Sequence, residues 1–437
     1  MNVYRDLKEK IKKKKAVVTV VGLGYVGLPM ALEFCKKGFS VNGLDTSKKR
    51  VKRLREGISY IEDIPSSAVA AQIKKGRLNV TDNIEVLGTS DVVLVCVPTP
   101  LDKKHKPDIS YILSVCRILK KQMRPGQLVI LESTTYPGTT REVMLPVMEK
   151  SGLVLGKDFY LVFSPERIDP GNPKYDFRNI PKVVGGMTPR GTELAKLLYS
   201  QVTKEVVGVS CPESAEVTKL LENTFRIVNI GLINEFAALC NKLKIDVWEV
   251  VDAAGTKPFG FMQFYPGPGV GGHCIPADPM YLSWKARKVG FKTHMVDLAA
   301  KINRSAPRYE VDRMQKILKS EGKDLKGAKI LLVGVAYKRD VNDLRESPAL
   351  DIMQILKEKR SKWSYVDSFI PYLDIEGLKK TPVRMTKKLL KEQDLVVILT
   401  DHSDVDYKII AANSGKIFDT RNAFGQRKIK GEHIVKL

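Results

Sequence analysis

The 437-residue sequence lacks the features of secreted, membrane and metal-binding proteins. No apolar run reaches the roughly 20 residues that a membrane-spanning helix needs. The opening residues MNVYRDLKEKIKKKK are basic but have no apolar core like that of a secretory signal, so we expect a cytoplasmic protein. The five histidines are scattered and the six cysteines form no Cys-x-x-Cys pair. We therefore expect neither a metal site nor a disulfide framework.

Aromatic residues make up only 7% of the chain and form no RNA-binding motif, although the formal net charge is +24. Clustered lysine and arginine can neutralise phosphates, so a basic nucleic-acid-binding protein is one alternative. Here the positive charge is spread along the chain, its densest cluster is the N-terminal segment, and no helix-turn-helix signature occurs. This distribution favours a solvated basic surface that attracts anionic substrates, and we expect no nucleic-acid or membrane partner.

Hydrophobic periodicity predicts an α/β protein of several domains. Short β-branched runs alternate with helical patterns over residues 16–200, and the alternation restarts at KILLVGVAY. Between these regions lie two long helical patterns, at 212–243 and at about 294–320. We predict two Rossmann-like, doubly wound parallel-sheet domains joined by a long-helix central region. The predicted domains are 1–205, 206–318 and 319–437.

The segment VVTVVGLGYVGLPMA predicts a dinucleotide site. It places Gly22, Gly24 and Gly27 in G-x-G-x-x-G spacing, directly after a strand and at the start of a helix. Asp45 ends the next predicted strand, where a carboxylate can accept hydrogen bonds from the adenosine ribose. Glycines that only turn the chain and an aspartate that caps a helix are the alternative. The four features in register favour the dinucleotide site. The Asp45 carboxylate would repel a 2′-phosphate and so favours NAD over NADP, although the basic residues 48–50 could soften that preference.

A second glycine-rich segment, GPGVGGHCIPAD, predicts a loop that approaches a ligand closely and carries a candidate nucleophile. A lone cysteine is usually a small buried apolar residue. Cys274 differs because its neighbours are polar and include Asp278, so a reactive thiolate is favoured. Lys219 and Asn223 are four residues apart and share one face of the long helix. A solvated helix face is the alternative for that pair.

These residues belong to motifs that resemble those of the UDP-glucose/GDP-mannose dehydrogenase family and occur in the same order over nearly the whole chain. The motifs are GLGYVGLP (22–29), CVPTP (96–100), ESTTYPGTT (132–140), SPERIDPGN (164–172), AEVTKLLEN (215–223), GVGGHCIPAD (269–278) and GVAYKRDVNDLRESP (334–348). The resemblance implies that the first domain binds NAD, that the central helices form a homodimer, and that the last domain holds the UDP moiety of a UDP-sugar.

The resemblance also implies a chemistry: oxidation of a sugar C6 alcohol to the carboxylate, with two NAD reduced per sugar. The implied nucleophile Cys274 forms a thiohemiacetal and then a thioester that water hydrolyses. The product would be a uronic-acid precursor of a surface polysaccharide or other glycan. Lys219 and Asn223 would stabilise the oxyanion, and Asp278 would activate water. Thr134 and Glu166 would position water and the reacting alcohol.

The resemblance implies two sets of binding residues. The cofactor contacts are Gly22, Gly24, Tyr25, Val26, Gly27, Asp45, Arg50, Pro98, Thr99, Thr134 and Arg345. The substrate contacts are Glu166, Arg167, Lys219, Asn223, Arg226, Phe264, Tyr265, Gly271 and Lys338.

Within the family, the amino-acid sequence of the motifs is most similar to that of the branch that oxidises UDP-N-acetylglucosamine, especially over residues 256–276. Ala277 before Asp278, and the wording of SPERIDPGN, depart from the UDP-glucose branch. Arg167 and four aromatic residues of 259–265 could contact an acetamido group, although the aromatics could equally be core. UDP-N-acetylmannosamine and UDP-glucose are the alternative substrates. A catalytically silent NAD-binding regulator is the alternative without enzyme activity, and the intact set of candidate catalytic residues argues against it.

Overall fold

The computed structural model describes residues 3–61, 63–102, 106–168, 175, 177–272, 274–375 and 377–437. His273 and residues 169–172 of the SPERIDPGN motif lie outside the described residues. The chain divides into two compact units, a first unit of 1–222 with 280–291 and a second unit of 223–279 with 292–437. The predicted division into domains 1–205, 206–318 and 319–437 stays a prediction.

The first unit is built on an eight-stranded sheet in the order β3-β2-β1-β4-β5-β6-β7-β8, in which every neighbouring pair is parallel except β6 and β7. Its elements are α1 (Val3–Lys12), β1 (Val17–Val21), α2 (Gly27–Lys36), β2 (Ser40–Leu44), α3 (Lys48–Arg55), α4 (Ser66–Lys74), β3 (Leu78–Thr81), α5 (Val86–Thr89), β4 (Val92–Val95), α6 (Ser110–Gln122), β5 (Gln127–Leu131), α7 (Leu145–Met148), β6 (Phe159–Phe163), β7 (Lys182–Gly186), α8 (Pro189–Tyr199) and β8 (Val206–Val209), with a π-helical turn at Thr139–Met144 and a 3₁₀ turn at Glu149–Ser151. The order 3-2-1-4-5-6 is that of a Rossmann sheet.

The central strands β1, β4 and β5 are apolar except for the buried Thr19 and Gln127, because helices cover both faces of the sheet. In β4, Val92 and Leu94 pack into the core on one face, whereas Val93 and Val95 pack into the core on the other. Successive side chains of a strand point to opposite faces, so a strand buried on both sides is hydrophobic at nearly every position. The short apolar runs that predicted the sheet are therefore its doubly buried strands.

Four helices follow the first sheet: α9 (Pro212–Leu243), α10 (Val247–Gly255), α11 (Cys274–Lys288) and α12 (His294–Ser320). The two long helices lie where the periodicity predicted them. The prediction that all of GPGVGGHCIPAD is a loop is wrong, because α11 begins at Cys274. Pro276 lies in the first turn of α11, where a missing backbone N–H breaks no helical hydrogen bond.

The second unit contains a five-stranded parallel sheet in the order β10-β9-β13-β14-β15 and a small antiparallel hairpin of β11 and β12. Its elements are β9 (Lys329–Val333), α13 (Pro348–Glu358), β10 (Lys362–Val366), β11 (Leu373–Ile375), β12 (Leu378–Lys380), α14 (Lys387–Lys391), β13 (Leu395–Ile398), α15 (Tyr407–Asn413), β14 (Ile417–Asp419), α16 (Ala423–Gln426) and β15 (Ile434–Lys436). The prediction of two Rossmann-like sheets with long helices between them is confirmed.

The two sheets share a local feature at the end of their first strand. Gly22 after β1 and Gly334 after β9 both have positive φ, of 92° and 75°. An aspartate after the neighbouring strand accepts the next backbone N–H in each case, Asp45 from Leu23 and Asp367 from Val335. The second sheet therefore repeats the strand-turn geometry of the first.

None of the described helices is both long enough and apolar enough to cross a membrane.

Candidate active site

The predicted cofactor and water-positioning residues lie at one edge of the first sheet. Gly22 follows β1, Asp45 follows β2, Thr99 lies in the segment after β4, Thr134 follows β5 and Glu166 follows β6. These strands are parallel, so their carboxyl ends meet at the same edge. The strand order changes direction between β1 and β4, and ligands of such sheets bind in the crevice at that point. The topology thus collects these residues around a crevice suited to a dinucleotide.

The three glycines of the first turn differ in the space around them. A Cβ at Gly22 would lie 2.5 Å from the carbonyl oxygen of Cys96, and one at Gly27 would lie 1.9 Å from the carbonyl oxygen of Gly22. At both positions another part of the backbone lies so close that a residue with a Cβ atom would clash with it. A Cβ at Gly24 would meet no atom within 4 Å. The room at Gly24, next to the N-terminus of α2, fits the pyrophosphate of a dinucleotide.

Asp45 is held rigidly beside this turn. Its carboxylate accepts hydrogen bonds from the backbone N–H of Leu23, at 2.9 Å, and of Ser47, at 2.8 Å. The Arg50 guanidinium lies 3.6 Å from the same carboxylate. The sequence predicted Asp45 as a ribose acceptor, and its fixed, nearly buried carboxylate is suited to that role. The Arg50 cation beside it reduces the local negative charge that would repel a 2′-phosphate.

The remaining predicted cofactor residues of the first unit lie in turns at the same edge. Tyr25 is exposed, and Val26 immediately precedes α2. Pro98 is exposed beside Thr99, whose hydroxyl donates to the carbonyl oxygen of Thr134 at 2.6 Å. The hydroxyl of Tyr281 donates to the carbonyl oxygen of Thr99. The segments after β4 and β5 are therefore joined to each other and to the C-terminal part of α11.

Sequence reasoning missed Glu216, a buried carboxylate of α9 three residues before Lys219. Its oxygens accept the backbone N–H of Gly138 at 2.5 Å and both the N–H and the hydroxyl of Thr140, at 3.0 and 2.7 Å. Burial raises the pKa of Glu216. Glu216 thus ties the PGTT turn of one predicted motif to the helix of another. The only sequence signal is that Glu216 lies inside the AEVTKLLEN motif.

Glu166 and Arg167 are both engaged within the first unit. One carboxylate oxygen of Glu166 accepts the backbone N–H of Arg167 at 2.6 Å and of Ile168 at 2.7 Å. The Arg167 guanidinium lies 2.7 Å from a carboxylate oxygen of Glu222 and donates to the carbonyl oxygen of Pro181 at 2.6 Å. The donor fork of Arg167, predicted as a substrate contact, is therefore already bound to neighbouring residues.

In the second unit, the first turn of α11 carries the predicted nucleophile. Cys274 is exposed at the start of the helix, where the positive end of the helix dipole favours an anionic thiolate. Asp278 is one turn further on and buried, and the side-chain amide of Asn223 donates to its carboxylate at 2.6 Å. Lys219 is buried on the part of α9 that belongs to the first unit, one turn before Asn223. Three of the four predicted catalytic groups of these helices are thus buried polar residues, and only the thiol is exposed.

The glycines before Cys274 allow close contact with the GVAYKRDVNDLRESP segment. A Cβ at Gly271 would lie 2.7 Å from the carbonyl oxygen of Glu346, and one at Gly272 would lie 2.8 Å from the Tyr337 ring. Gly272 has a φ of 83° and donates its N–H to the carbonyl oxygen of Arg345 at 2.9 Å. Lys338, a predicted substrate contact, is half-buried in this segment. The structure therefore joins two motifs that are far apart in sequence.

Two asparagines that sequence reasoning missed fix the start of the glycine loop. Asn234 of α9 accepts the backbone N–H of Gly267 at 3.0 Å and donates to the Asn303 side chain of α12, also at 3.0 Å. Asn303 donates in turn to the carbonyl oxygen of Ile227 at 3.0 Å. Each amide satisfies a group that would otherwise be buried without a partner. No local sequence signal distinguishes these asparagines from other helix residues.

Several predicted substrate contacts have other partners within the second unit. Phe264 packs edge-on against Phe225, with ring centroids 5.7 Å apart. Tyr265 stacks on Trp248 at 5.6 Å, and its hydroxyl donates to Asp252 at 2.7 Å.

The flanking aromatics of this segment are not core residues, because Phe259 is 70% exposed and Phe261 is 41% exposed. Arg226 is exposed. Arg345, predicted to contact the cofactor, forms a bidentate ion pair with Asp343 at 2.6 to 3.0 Å.

A further cation lies at the carboxyl edge of the second sheet. Lys338 follows β9 and Arg421 follows β14, and the intervening strand β13 is parallel to both. Arg421 donates to the carbonyl oxygen of Leu399 at 2.8 Å, and a Cβ at Gly267 would lie 2.6 Å from its guanidinium. Sequence reasoning did not propose Arg421 as a site residue. Its position directly after the predicted strand KIFDT could have indicated a cation at the carboxyl edge of the second sheet.

The fold and the crevice define a dinucleotide-dependent oxidoreductase. Three family models match the chain: the NAD-binding domain of the UDP-glucose/GDP-mannose dehydrogenase family at 16–203, its central domain at 213–305 and its UDP-binding domain at 331–426. The chain belongs to this family of NAD-dependent UDP-sugar dehydrogenases, as the motifs predicted, and NAD is its cofactor.

Relatives and solved structures agree with this assignment. A UDP-N-acetyl-D-glucosamine 6-dehydrogenase of Pseudomonas aeruginosa is 39% identical over 97% of this chain and 96% of that protein. A UDP-N-acetyl-D-mannosamine dehydrogenase of Pyrococcus horikoshii is 35% identical over 89% of this chain and 90% of that protein. The solved structure of a UDP-D-ManNAc dehydrogenase from Pyrococcus horikoshii has a TM-score of 0.87, at 32% identity, over 96% of this chain and 98% of that chain.

Proposed function

We propose that this protein oxidises the C6 hydroxyl of a UDP-N-acetylhexosamine to the carboxylate, with UDP-N-acetylglucosamine as the first candidate substrate. The observation that carries the proposal is the first turn of α11, where Cys274 is exposed and Asp278, one turn on, accepts a hydrogen bond from Asn223. A simple alcohol dehydrogenase needs no nucleophile. A cysteine in this position is suited to capture the aldehyde of the first oxidation.

When bound, NAD accepts the hydride released in each oxidation. The Cys274 thiolate adds to the C6 aldehyde, forming a carbon–sulfur bond and leaving negative charge on the oxygen. We assign Lys219 and Asn223 to stabilise that oxyanion, because both are buried donors on one face of α9. After the second oxidation, a water deprotonated by Asp278 would attack the thioester and release the carboxylate and the thiolate. We assign Thr134 and Glu166 to hold water and the reacting alcohol.

The choice of sugar rests on similarity. The 39% identical Pseudomonas aeruginosa relative and the wording of 256–276 favour UDP-N-acetylglucosamine. UDP-N-acetylmannosamine is the second candidate, because the Pyrococcus horikoshii relative and solved structure carry that substrate in their names. The two substrates are epimers at C2, so a few contacts worth about 1–3 kcal/mol would separate them.

We expect NADH production with UDP-N-acetylglucosamine to exceed that with UDP-glucose, UDP-N-acetylgalactosamine, UDP-N-acetylmannosamine and GDP-mannose. Two NADH should form for each sugar consumed, since an alcohol loses four electrons on the way to a carboxylate. The measurement is kcat/KM for each sugar nucleotide, with product identified by mass spectrometry. Higher kcat/KM with UDP-N-acetylmannosamine would reassign the sugar, and no oxidation of any UDP-sugar would overturn the proposal.

We also propose that the protein is a homodimer built on α9. Four apolar residues on one face of this helix are about half exposed in the isolated chain: Leu232 52%, Phe236 45%, Leu239 49% and Leu243 58%. Their spacing of four, three and four residues makes a continuous stripe. An apolar stripe of this length on a soluble surface is typical of an interface.

Charge placed on this stripe should separate the subunits. We expect Phe236→Glu/Leu239→Glu to lower the mass from dimer to monomer in sedimentation velocity, because a carboxylate cannot be buried without a partner. The matched control is Gln354→Glu, which adds a carboxylate to an exposed position of α13. A dimeric Phe236→Glu/Leu239→Glu variant, or a monomeric unmodified protein, would exclude this interface.

A further inference from the structure

A buried triad of Glu132, Lys182 and Glu166 lies in the first unit. The Lys182 ammonium is 2.6 Å from a Glu132 carboxylate oxygen and 3.2 Å from a Glu166 carboxylate oxygen. The side chains of Lys182, Glu132 and Glu166 are only 6%, 0% and 10% exposed. Of the three, only Glu166 is assigned a role in the reaction.

Lys182 is fixed on every side. Its ammonium donates to both carboxylates and, at 3.2 Å, to the carbonyl oxygen of Pro165, which uses its three N–H donors. It also lies 5.3 Å from the centre of the Tyr199 ring and 5.6 Å from that of Phe177. Burial opposes the charge on Lys182, but the two carboxylates raise its pKa above the ordinary value. The Lys182 ammonium is therefore held between the two carboxylates by direct contacts.

Glu132 anchors the far end of the triad. Its second oxygen accepts the Tyr199 hydroxyl, and the residue directly follows β5, two positions before Thr134. Burial raises the pKa of Glu132 to about 7. A buried ion pair of this kind is seldom a net source of stability, since two apolar side chains of similar volume often serve as well. Because this ion pair contacts Glu166, a candidate active-site carboxylate, we consider that its role is to orient Glu166.

The partners of Glu166 among the described residues leave one place for another donor. A carboxylate offers about four acceptor positions. One oxygen of Glu166 accepts two backbone N–H groups, and the other accepts Lys182, so three positions are filled. These bonds fix the direction of the remaining lone pair. A carboxylate held in this way is suited to accept a hydrogen bond from a hydroxyl or water, and poorly suited to shuttle protons.

We infer that Lys182 and Glu132 are positioning residues, which hold Glu166 oriented as a hydrogen-bond acceptor for the reacting hydroxyl or for water. This inference rests on the role proposed above for Glu166. It assigns a part in the reaction to two residues that bind neither substrate nor cofactor. It also makes Glu166 an acceptor of fixed orientation instead of a general base.

A double-mutant cycle on activity tests the inference. We expect Lys182→Met to lower kcat/KM for the sugar about 10²-fold in the unmodified protein, but less than about 3-fold in a Glu166→Gln background, because Lys182 acts through Glu166. Lys182→Arg should recover most of the loss, since it keeps the charge. The dissociation constant for NAD should stay within about 2-fold in all variants. Equal losses from Lys182→Met in both backgrounds would overturn the inference.

Two controls distinguish a loss of Glu166 orientation from a loss of protein folding. Lys10→Met removes a different ion pair of the first unit, with Asp91 at 3.0 Å, and should leave kcat/KM unchanged. If Lys182→Met fails to fold, because Glu132 is left buried and uncompensated, the cycle is repeated in a Glu132→Gln background, which removes that charge. Full activity of Glu166→Gln would instead overturn the role proposed for Glu166. A Glu166→Gln variant with reduced but measurable activity, in which Lys182→Met causes the same loss as in the unmodified protein, would overturn only the positioning role.

Discussion

Cys274→Ser should reduce steady turnover to uronic acid by roughly 10³-fold while leaving the binding of NAD and UDP-sugar nearly unchanged. Serine is almost isosteric with cysteine, so the first turn of α11 and the Asn223–Asp278 hydrogen bond should persist. The serine hydroxyl is far less acidic, however, so little of it is available as a nucleophile. Capture of the aldehyde should fail, or should leave an ester that hydrolyses slowly. The measurements are steady-state NADH formation, NADH formed per sugar and intact-protein mass.

The matched control is Cys211→Ser, the same substitution at a partly exposed cysteine of the first unit that hydrogen-bonds Ser214 at 3.2 Å. It should retain ordinary turnover and stability. A slow Cys274→Ser variant should release aldehyde or carry a covalent sugar. Uronic acid made by Cys274→Ser at the unmodified rate, with two NADH per sugar, would mean that the second oxidation proceeds through a hydrated aldehyde and that Cys274 is not the nucleophile.

The same substitution at two glycines of the first turn should affect two different properties, stability at Gly27 and NAD binding at Gly24. Gly27→Ala should lower the free energy of unfolding by about 1–3 kcal/mol, because its Cβ would lie 1.9 Å from a backbone carbonyl oxygen that cannot move alone. Gly24→Ala should leave that free energy within about 0.5 kcal/mol, since no atom lies within 4 Å of the added Cβ. Gly24→Ala should nevertheless weaken NAD binding about tenfold or more, because the methyl group would occupy the room that fits the pyrophosphate.

Each variant is the control for the other. Urea denaturation without NAD reports the packing effect, and titration of NAD by fluorescence or calorimetry reports the binding effect. Unchanged NAD affinity in Gly24→Ala would place the pyrophosphate elsewhere. An unfolding free energy of Gly27→Ala equal to that of the unmodified protein would show that α2 can shift away from β1 without cost.

Much of the fold could be predicted because its signals are local. The runs that became β1, β4 and β5 are apolar except for Thr19 and Gln127, as expected of strands covered on both faces. The patterns at 212–243 and 294–320 predicted α9 and α12 with their observed bounds. The start of α11 was missed because glycine density predicts a loop, whereas the helix begins at Cys274, two residues after Gly272. The antiparallel pairing of β6 with β7 has no local signal at all.

The candidate site was predictable only where a motif contains the whole feature. Gly22, Gly24, Gly27 and Asp45 were found because strand, turn and helix follow one another in sequence. Arg167 and Tyr265 were proposed as substrate contacts, but their side chains are bound to neighbours that spacing could not indicate. Their roles, like those of the other predicted site residues, stay predictions.

By itself, the sequence determined the class of fold, the family, the cofactor and the candidate nucleophile, because each depends on residues adjacent along the chain. Only the tertiary structure decided which distant residues support them. Glu216 holds the PGTT turn, Gly271 contacts Glu346, and Lys182 lies between Glu132 and Glu166. Such pairs form when the carboxyl ends of separate strands, or two separate loops, meet after folding. Their partners are set by the path of the chain in space, which no local pattern encodes.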